Sequence, residues 1–329
     1  MKRDLAKRTY LARRFGVLFF LCTAVACGGG NKGTVTAHVA GELTPAQIDA
    51  DPLALLPGQA LGVGTVDARA FYGSKSLGPQ IAQLSERFIP LGEEAGFAAS
   101  RDVDRVTVAT YSTQGADACA VVSGKFDEQK IAQVAKNHTP TKAGGLLVES
   151  TYGGRTLYTV NNVGFTVLTS HTALAGTEAG IRRALDRIKD GRATRSITPW
   201  MLETVETKGA ATAVAMDFIG QPAAAAALGA VPLPWLKGLR AARILGNFEE
   251  PGMHIAGSLT YGQADEAQAG ADGLKDIINK ASFLALLGIV PKLQSLDIKV
   301  AASNVECKFA LDDQAMRALL GNIPKWSGG

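Results

Sequence analysis

"LDIKVAASNVECKFAL", residues 296–311, reads as a strand pair. Val305, Cys307 and Phe309 alternate with Glu306 and Lys308, so the second strand has one apolar side and carries Cys307 on a buried face. "DRVTVATYS" (104–112) and "ACAVVSGKF" (118–126) read as a similar pair, and "GLLVES" (145–150), "RTLYTV" (155–160) and "GFTVLTS" (164–170) add further strands. Hairpin-like pairs outnumber regular strand–helix–strand alternation. The expected fold class is therefore α+β, two similar halves with antiparallel sheets covered by helices.

The halves follow one order of elements. In the first, the strand-like "ALGVGTVDARAFYG" (60–73) leads to a helix in "PQIAQLSERFIPLGEEAGF" (79–97), with Ile81, Leu84 and Phe88 on one side. The strands at 104–126 follow, then the helix "DEQKIAQVAK" (127–136), which Asp127 is placed to cap. "TEAGIRRALDRIKDG" (177–191) gives another helix, with Ile181, Leu185 and Ile188 on one face and Gly191 as its stop. In the second half, "ATAVAMDFIG" (211–220) precedes "LPWLKGLRAARIL" (233–245), a strand in "GMHIAGSLTYG" (252–262) and the helix "ADEAQAGADGLKDIINKAS" (264–282). The matching order suggests a duplication at a spacing near 150 residues, joined through "SITPWMLETVETKGA" (196–210).

The amino end has a different character. Lys2, Arg3, Lys7, Arg8, Arg13 and Arg14 precede an uncharged stretch from Phe15 to Ala26, the charged and apolar regions of an export signal. Twelve helical residues rise only about 18 Å, too little for a bilayer core of roughly 30 Å. Ala24, Val25, Ala26 and Cys27, followed by Gly28, resemble the processing junction of bacterial lipoproteins; bulky Leu21 before Cys22 removes that cysteine from the comparison. The resemblance covers only the signal and its junction. It implies that Cys27 becomes the acylated first residue, held to a membrane by several acyl chains, palmitate among them. Gly29, rather than an Asp, at the second position after the cysteine implies the outer membrane where the cell has one, with the body in the periplasm or at the cell surface.

The expected organisation is then a signal peptide at 1–26, a lipidated cysteine and flexible tether at 27–56, repeats at 57–195 and 196–324, and a tail at 325–329. The precursor carries 34 basic and 30 acidic side chains, a net charge of +4. Removal of six bases and one acid with the signal leaves 28 against 29, a mature net of −1. With no dense Lys/Arg stripe among aromatics, nucleic acid is not an expected partner. Cys119 and Cys307 are left to share an oxidising compartment, either as a possible disulfide or as two buried thiols.

No catalytic constellation stands out. His38, His138, His171 and His254 are isolated from one another, and no HExxH, GxSxG or phosphate-loop pattern occurs. Neither Glu93 with Glu94 nor Glu249 with Glu250 makes an acid/base site, because adjacent residues do not face each other on a helix. Neither metal nor cofactor is expected. The least ordinary segment, "FIGQPAAAAALGAVPLPWLKGLRAARIL" (218–245), combines an alanine run with prolines around Trp235. Phe218, Ile219, Leu233, Trp235, Leu236 and Leu239 form a candidate apolar interaction surface. The expected function is a lipid-anchored interaction or scaffold protein of the cell envelope, engaging a membrane through Cys27 and an envelope protein or cell-wall component through its body. The alternative is a lipid or other apolar-ligand binding module with its groove in the second half.

Overall fold

The computed structural model describes residues 41–89, 91–112, 117–142, 144–160, 163–229, 233–249, 252–286 and 294–326. The signal, Cys22, Cys27 and His38 lie outside those residues.

Twelve strands form one sheet: β1 (Gly62–Asp67), β2 (Val103–Thr110), β3 (Ala118–Gly124), β4 (Val148–Tyr152), β5 (Arg155–Val160), β6 (Val163–Val167), β7 (Thr172–Gly176), β8 (Thr212–Asp217), β9 (Leu239–Phe248), β10 (Gly252–Tyr261), β11 (Gln294–Ala301) and β12 (Asn304–Asp312). Their order across the sheet is β11-β12-β10-β9-β8-β1-β2-β3-β7-β6-β5-β4, and every neighbouring pair is antiparallel. The α+β expectation holds, with both halves in a single sheet.

The two halves meet where β1 pairs with β8, Val63 opposite Ala215 and Thr65 opposite Ala213. Outward from that seam, each half places its first strand, then a hairpin, then the strand that precedes its last helix. That is β1-β2-β3-β7 on one side and β8-β9-β10-β12 on the other. The arrangement is an approximate two-fold about the seam. Asp67 and Asp217, 150 residues apart, end the equivalent strands, and each carboxylate accepts a backbone N–H just beyond, from Ala70 and Ile219 respectively at 3.0 Å.

The sheet register defines two faces. On the front, Val63, Ala109, Cys119, Val121 and Leu174 of the first half lie under the helices Glu178–Lys189 and Pro199–Val205. Ile181, Ala184, Leu185 and Ile188 complete that core, each side chain of this size contributing about 1.5–3 kcal/mol on burial. On the back, Phe97, Ile131, Tyr158 and Phe165 make a second core under the helix Glu128–Lys136, capped by Asp127 as expected. In the second half the back carries both later helices. Ala264–Leu286 packs on Leu259 and Tyr261, whereas Asp313–Trp326 packs on Met253 and Leu311.

Several expectations need correction. The tether does not reach residue 56: Leu43, Ile48, Leu55 and Leu56 are buried in the front core, and the helix Pro45–Ala50 is held by a Thr44–Gln47 capping box. Polar contacts fasten the same segment, Leu43 N–H to the Ile188 carbonyl at 2.9 Å, and the Thr169 and Thr172 hydroxyls to Asp49 at 2.6 and 2.7 Å. "ALGVGTVDARAFYG" is half strand and half helix, because the Asp67 cap starts the helix Ala68–Gly73. The helix read into residues 79–97 stops at Phe88. β7 was not foreseen, and "LRAARIL", whose residue pattern indicates no element type, forms strand β9. At the carboxyl end, Asp313–Trp326 extends helix two residues into the expected tail.

Candidate functional site

Front coverage ends one strand past the seam between the halves, at β8. Helix Pro199–Val205 lies over β8 and β1, and at its margin Arg243 of β9 sits 5.8 Å from the Trp200 ring. Beyond that margin no described helix covers the front of β9, β10, β12 and β11. The strand–helix junctions of the two halves differ in parity. Thr177 after β7 and Asp312 at the end of β12 both cap the following helix, accepting the N–H of Gly180 at 3.2 Å and of Ala315 at 2.7 Å. The pairing of Gly176 with Cys119 puts position 177 on back-face parity, whereas the pairing of Asp312 with Gly252 puts the cap on front-face parity. A one-residue offset in a strand reverses faces, and the two helices leave on opposite sides.

The uncovered front is polar and ordered by cross-strand pairs. Asp297 stands opposite Lys308 and Lys299 opposite Glu306, and a Lys299–Asp297 ion pair at 2.8 Å ties the quartet along β11. Asp297 and Glu306 hold the Lys299 ammonium above its ordinary pKa, with the Asp297 hydrogen bond the largest cause. Ser258 lies between Arg243 and Glu306, and His254 between Asn247 and Ala310. Leu245, Ile255, Ala256 and Phe309, rimmed by His254, Asp297 and Lys308, help line an open and largely apolar concavity of about 340 Å³ within that face. The His254 ring nitrogen is 3.7 Å from Glu249, both well exposed. This surface offers alternating charges and hydrogen-bonding groups to a polar partner.

A second concavity, of about 320 Å³, lies in the first half between Phe97, Phe126, Lys125, Asp127 and His171. Its Phe rings stack at 6.2 Å, and the His171 ring nitrogen lies 3.3 Å from the Gly124 carbonyl. At its rim the Arg101 guanidinium bonds Asp102 at 2.7 and 2.8 Å and holds that carboxyl below its usual range.

The residues singled out from sequence are dispersed. Cys119 and Cys307 are free thiols, which corrects the possible disulfide. They occupy β3 and β12, six strand steps apart, or about 29 Å along the sheet, and they face opposite sides of it. A disulfide needs Cα atoms within about 7 Å. Burial raises the Cys119 thiol to about 12 and moves Cys307 in the same direction.

The six residues of the candidate apolar surface do not form one surface either. Phe218 and Leu239 are in the core, Trp235 and Leu236 pack against it, Leu233 is half-buried, and Ile219 alone is 64% exposed. The Tyr261 hydroxyl donates to the Trp235 carbonyl at 2.6 Å and fixes the segment under the helix Ala264–Leu286. Glu94 accepts the N–H groups of Gly92 and Lys142 at 2.9 and 3.1 Å, a loop-fastening role, while Glu249 is exposed and Glu250 lies outside the described residues. His138 follows a helix with φ 50°. Among the described residues no three His, Cys, Asp or Glu side chains gather into a metal-binding group. Within the same residues no helix is long and apolar enough to cross a membrane.

No protein-family model and no curated protein matches the chain. Solved structures of TP0453 are similar in fold. Crystal form III aligns with a TM-score of 0.52 at 11% identity, covering 82% of this chain and 97% of that one; crystal form I gives 0.50 at 11%, covering 82% and 96%. At that identity the likeness concerns architecture, and it places this chain beside TP0453 by fold.

Proposed function

We propose that the protein is a lipid-anchored interaction module of the cell envelope, acylated at Cys27, whose uncovered front sheet engages an envelope protein or cell-wall component. The observation that carries this reading is the four-strand polar face on β9, β10, β12 and β11, open where the equivalent face of the first half is roofed by helices. An antiparallel sheet can leave one face to water, and an open face of paired charges suits a polar partner. The packed state of Trp235 and the burial of Phe218 and Leu239 remove the groove expected around Trp235.

Photo-crosslinking tests the reading. A photoreactive residue at Ser258 or Lys308 captures a partner in intact cells, whereas one at Lys189, on the helix that covers the first half, does not. Equal capture from all three positions, or none from the open face, overturns it. Cys27→Ser moves the protein from the membrane to the soluble fraction.

A further inference from the structure

Among the described residues the sheet has two free edges, and they are built differently. β11 breaks register with β12 between Gln294 and Asp297, bends through Ser295 at φ 51°, and carries Lys299, all devices that discourage strand addition. β4 is regular, with no register break and no lysine; its one charge is Glu149. Its residues Val148, Glu149, Ser150 and Thr151 are exposed, Val148 to 64%, and among the described residues it pairs only with β5.

Hairpin geometry fixes which backbone groups on β4 are free. The β4–β5 loop is Gly153–Gly154, both at positive φ (57° and 78°), a two-residue turn of the I′ kind. The closing pair Tyr152–Arg155 therefore exchanges both hydrogen bonds, and Ser150 and Val148 turn their N–H and C=O groups toward β5 as well. Glu149 and Thr151 direct theirs away from the sheet.

We propose that β4 is a self-association edge, pairing antiparallel with β4 of a second copy about a two-fold axis at Ser150. In that register Glu149 of each copy exchanges hydrogen bonds with Thr151 of the other. The two Glu149 carboxylates do not oppose one another, and exposed Val148 meets the second copy's Tyr152, an aliphatic–aromatic cross-strand pair. Antiparallel addition keeps each face on its own side. Val148, Ser150 and Tyr152 lie on the front, where Tyr152 donates to Asp186 at 3.0 Å, and Leu43 near the start of the described chain is bonded to Ile188 on the same side. Both chains would thus approach their anchors from one side of the pair. This last argument rests on the lipid-anchor reading, under which confinement to a membrane also raises the effective concentration.

The test is oxidation of the Ser150→Cys chain, in membranes and, combined with Cys27→Ser, at high concentration in solution. Ser150 would face its own copy in a non-hydrogen-bonded pair with Cα atoms about 4.5 Å apart, within reach of a disulfide. A reducible homodimer is expected in both settings. Adding Thr151→Pro, which removes only an outward N–H, should cut its yield about tenfold or more; Val148→Lys should act in the same direction by removing the aliphatic partner of the second copy's Tyr152 and placing a Lys on the edge. Monomer in both settings, a dimer indifferent to both substitutions, or a disulfide to a different polypeptide overturns the proposal. Sedimentation of the uncrosslinked protein with membranes reads the anchor separately, so a soluble chain that still forms the homodimer would remove the anchor and leave the edge.

Discussion

The two halves differ most where their strands hand over to helices. β7 and β12 occupy equivalent places beside β3 and β10, and each ends at a capped helix. Yet the cap after β7 sends its helix to the front, while the cap on β12 sends its helix to the back, where it meets the helix Gly78–Phe88 of the first half. Among the described residues, one half becomes a sheet roofed on both faces and the other keeps a face open. The difference teaches that similar strand blocks can end in helices on opposite faces, while segment 43–56 and the helix Pro199–Val205 add to the cover of the first half.

The comparison can be broken first at the cores. Leu174→Ala, at a fully buried position on the front of the first half, should cost about 2–5 kcal/mol in chemical denaturation. A loss below 1 kcal/mol would mean that the roof over this half is not tightly packed. Arg187 comes next: buried on the roofing helix, it donates to the carbonyls of Ala54 and Thr194 at 3.0 and 2.5 Å, and desolvation pushes its guanidinium pKa down. Arg187→Ala should cost about 1–3 kcal/mol, because two carbonyls lose their donor. Hydrogen exchange should speed up first in residues 43–56.

Helix caps sharpen the equivalence of the junctions. Thr177→Ala and Asp312→Ala should each lower stability by about 1 kcal/mol despite serving helices on opposite faces. A much larger loss at one junction would show that the two are not equivalent. The open face should respond least, with Lys308→Ala staying within about 0.5 kcal/mol of the parent.

Acid gives a further contrast within the first half. Asp102 has its pKa depressed, chiefly by the Arg101 hydrogen bond, so its contribution is present above the unfolded value of about 3.9 and is lost as pH falls through the lower native value. The stability difference between the parent and Asp102→Asn should be constant at neutral pH and close in strong acid. A difference that grows on acidification would contradict the assignment.

Much of this architecture was legible in residue patterns. Alternation at Val305, Cys307 and Phe309 located β12, and the spacing of Ile181, Leu185 and Ile188 located the roofing helix with its stop at Gly191. β7 and β9 were hidden because "TALAG" and "LRAAR" are rich in alanine, and both become strands through neighbours on each side, β3 with β6 and β8 with β10. The packed segment 43–56 was missed because its apolar residues recur without regular spacing. The open face was legible only in part. Glu306 and Lys308 pointed away from the buried side, but nothing in the sequence fixed the side to which the last helix would turn.

The central contrast can be measured with two thiols. Cys119 is fully buried on the front of β3, whereas His254 is half-exposed on the front of β10, the equivalent strand. In a Cys307→Ser background, a thiol reagent at pH 8 should label the His254→Cys protein at the rate of an unfolded peptide, while Cys119, pushed up to about 12, should react only as fast as the protein unfolds. Equal protection at the two positions would contradict the account, because it would mean that the front of the second half is covered as well.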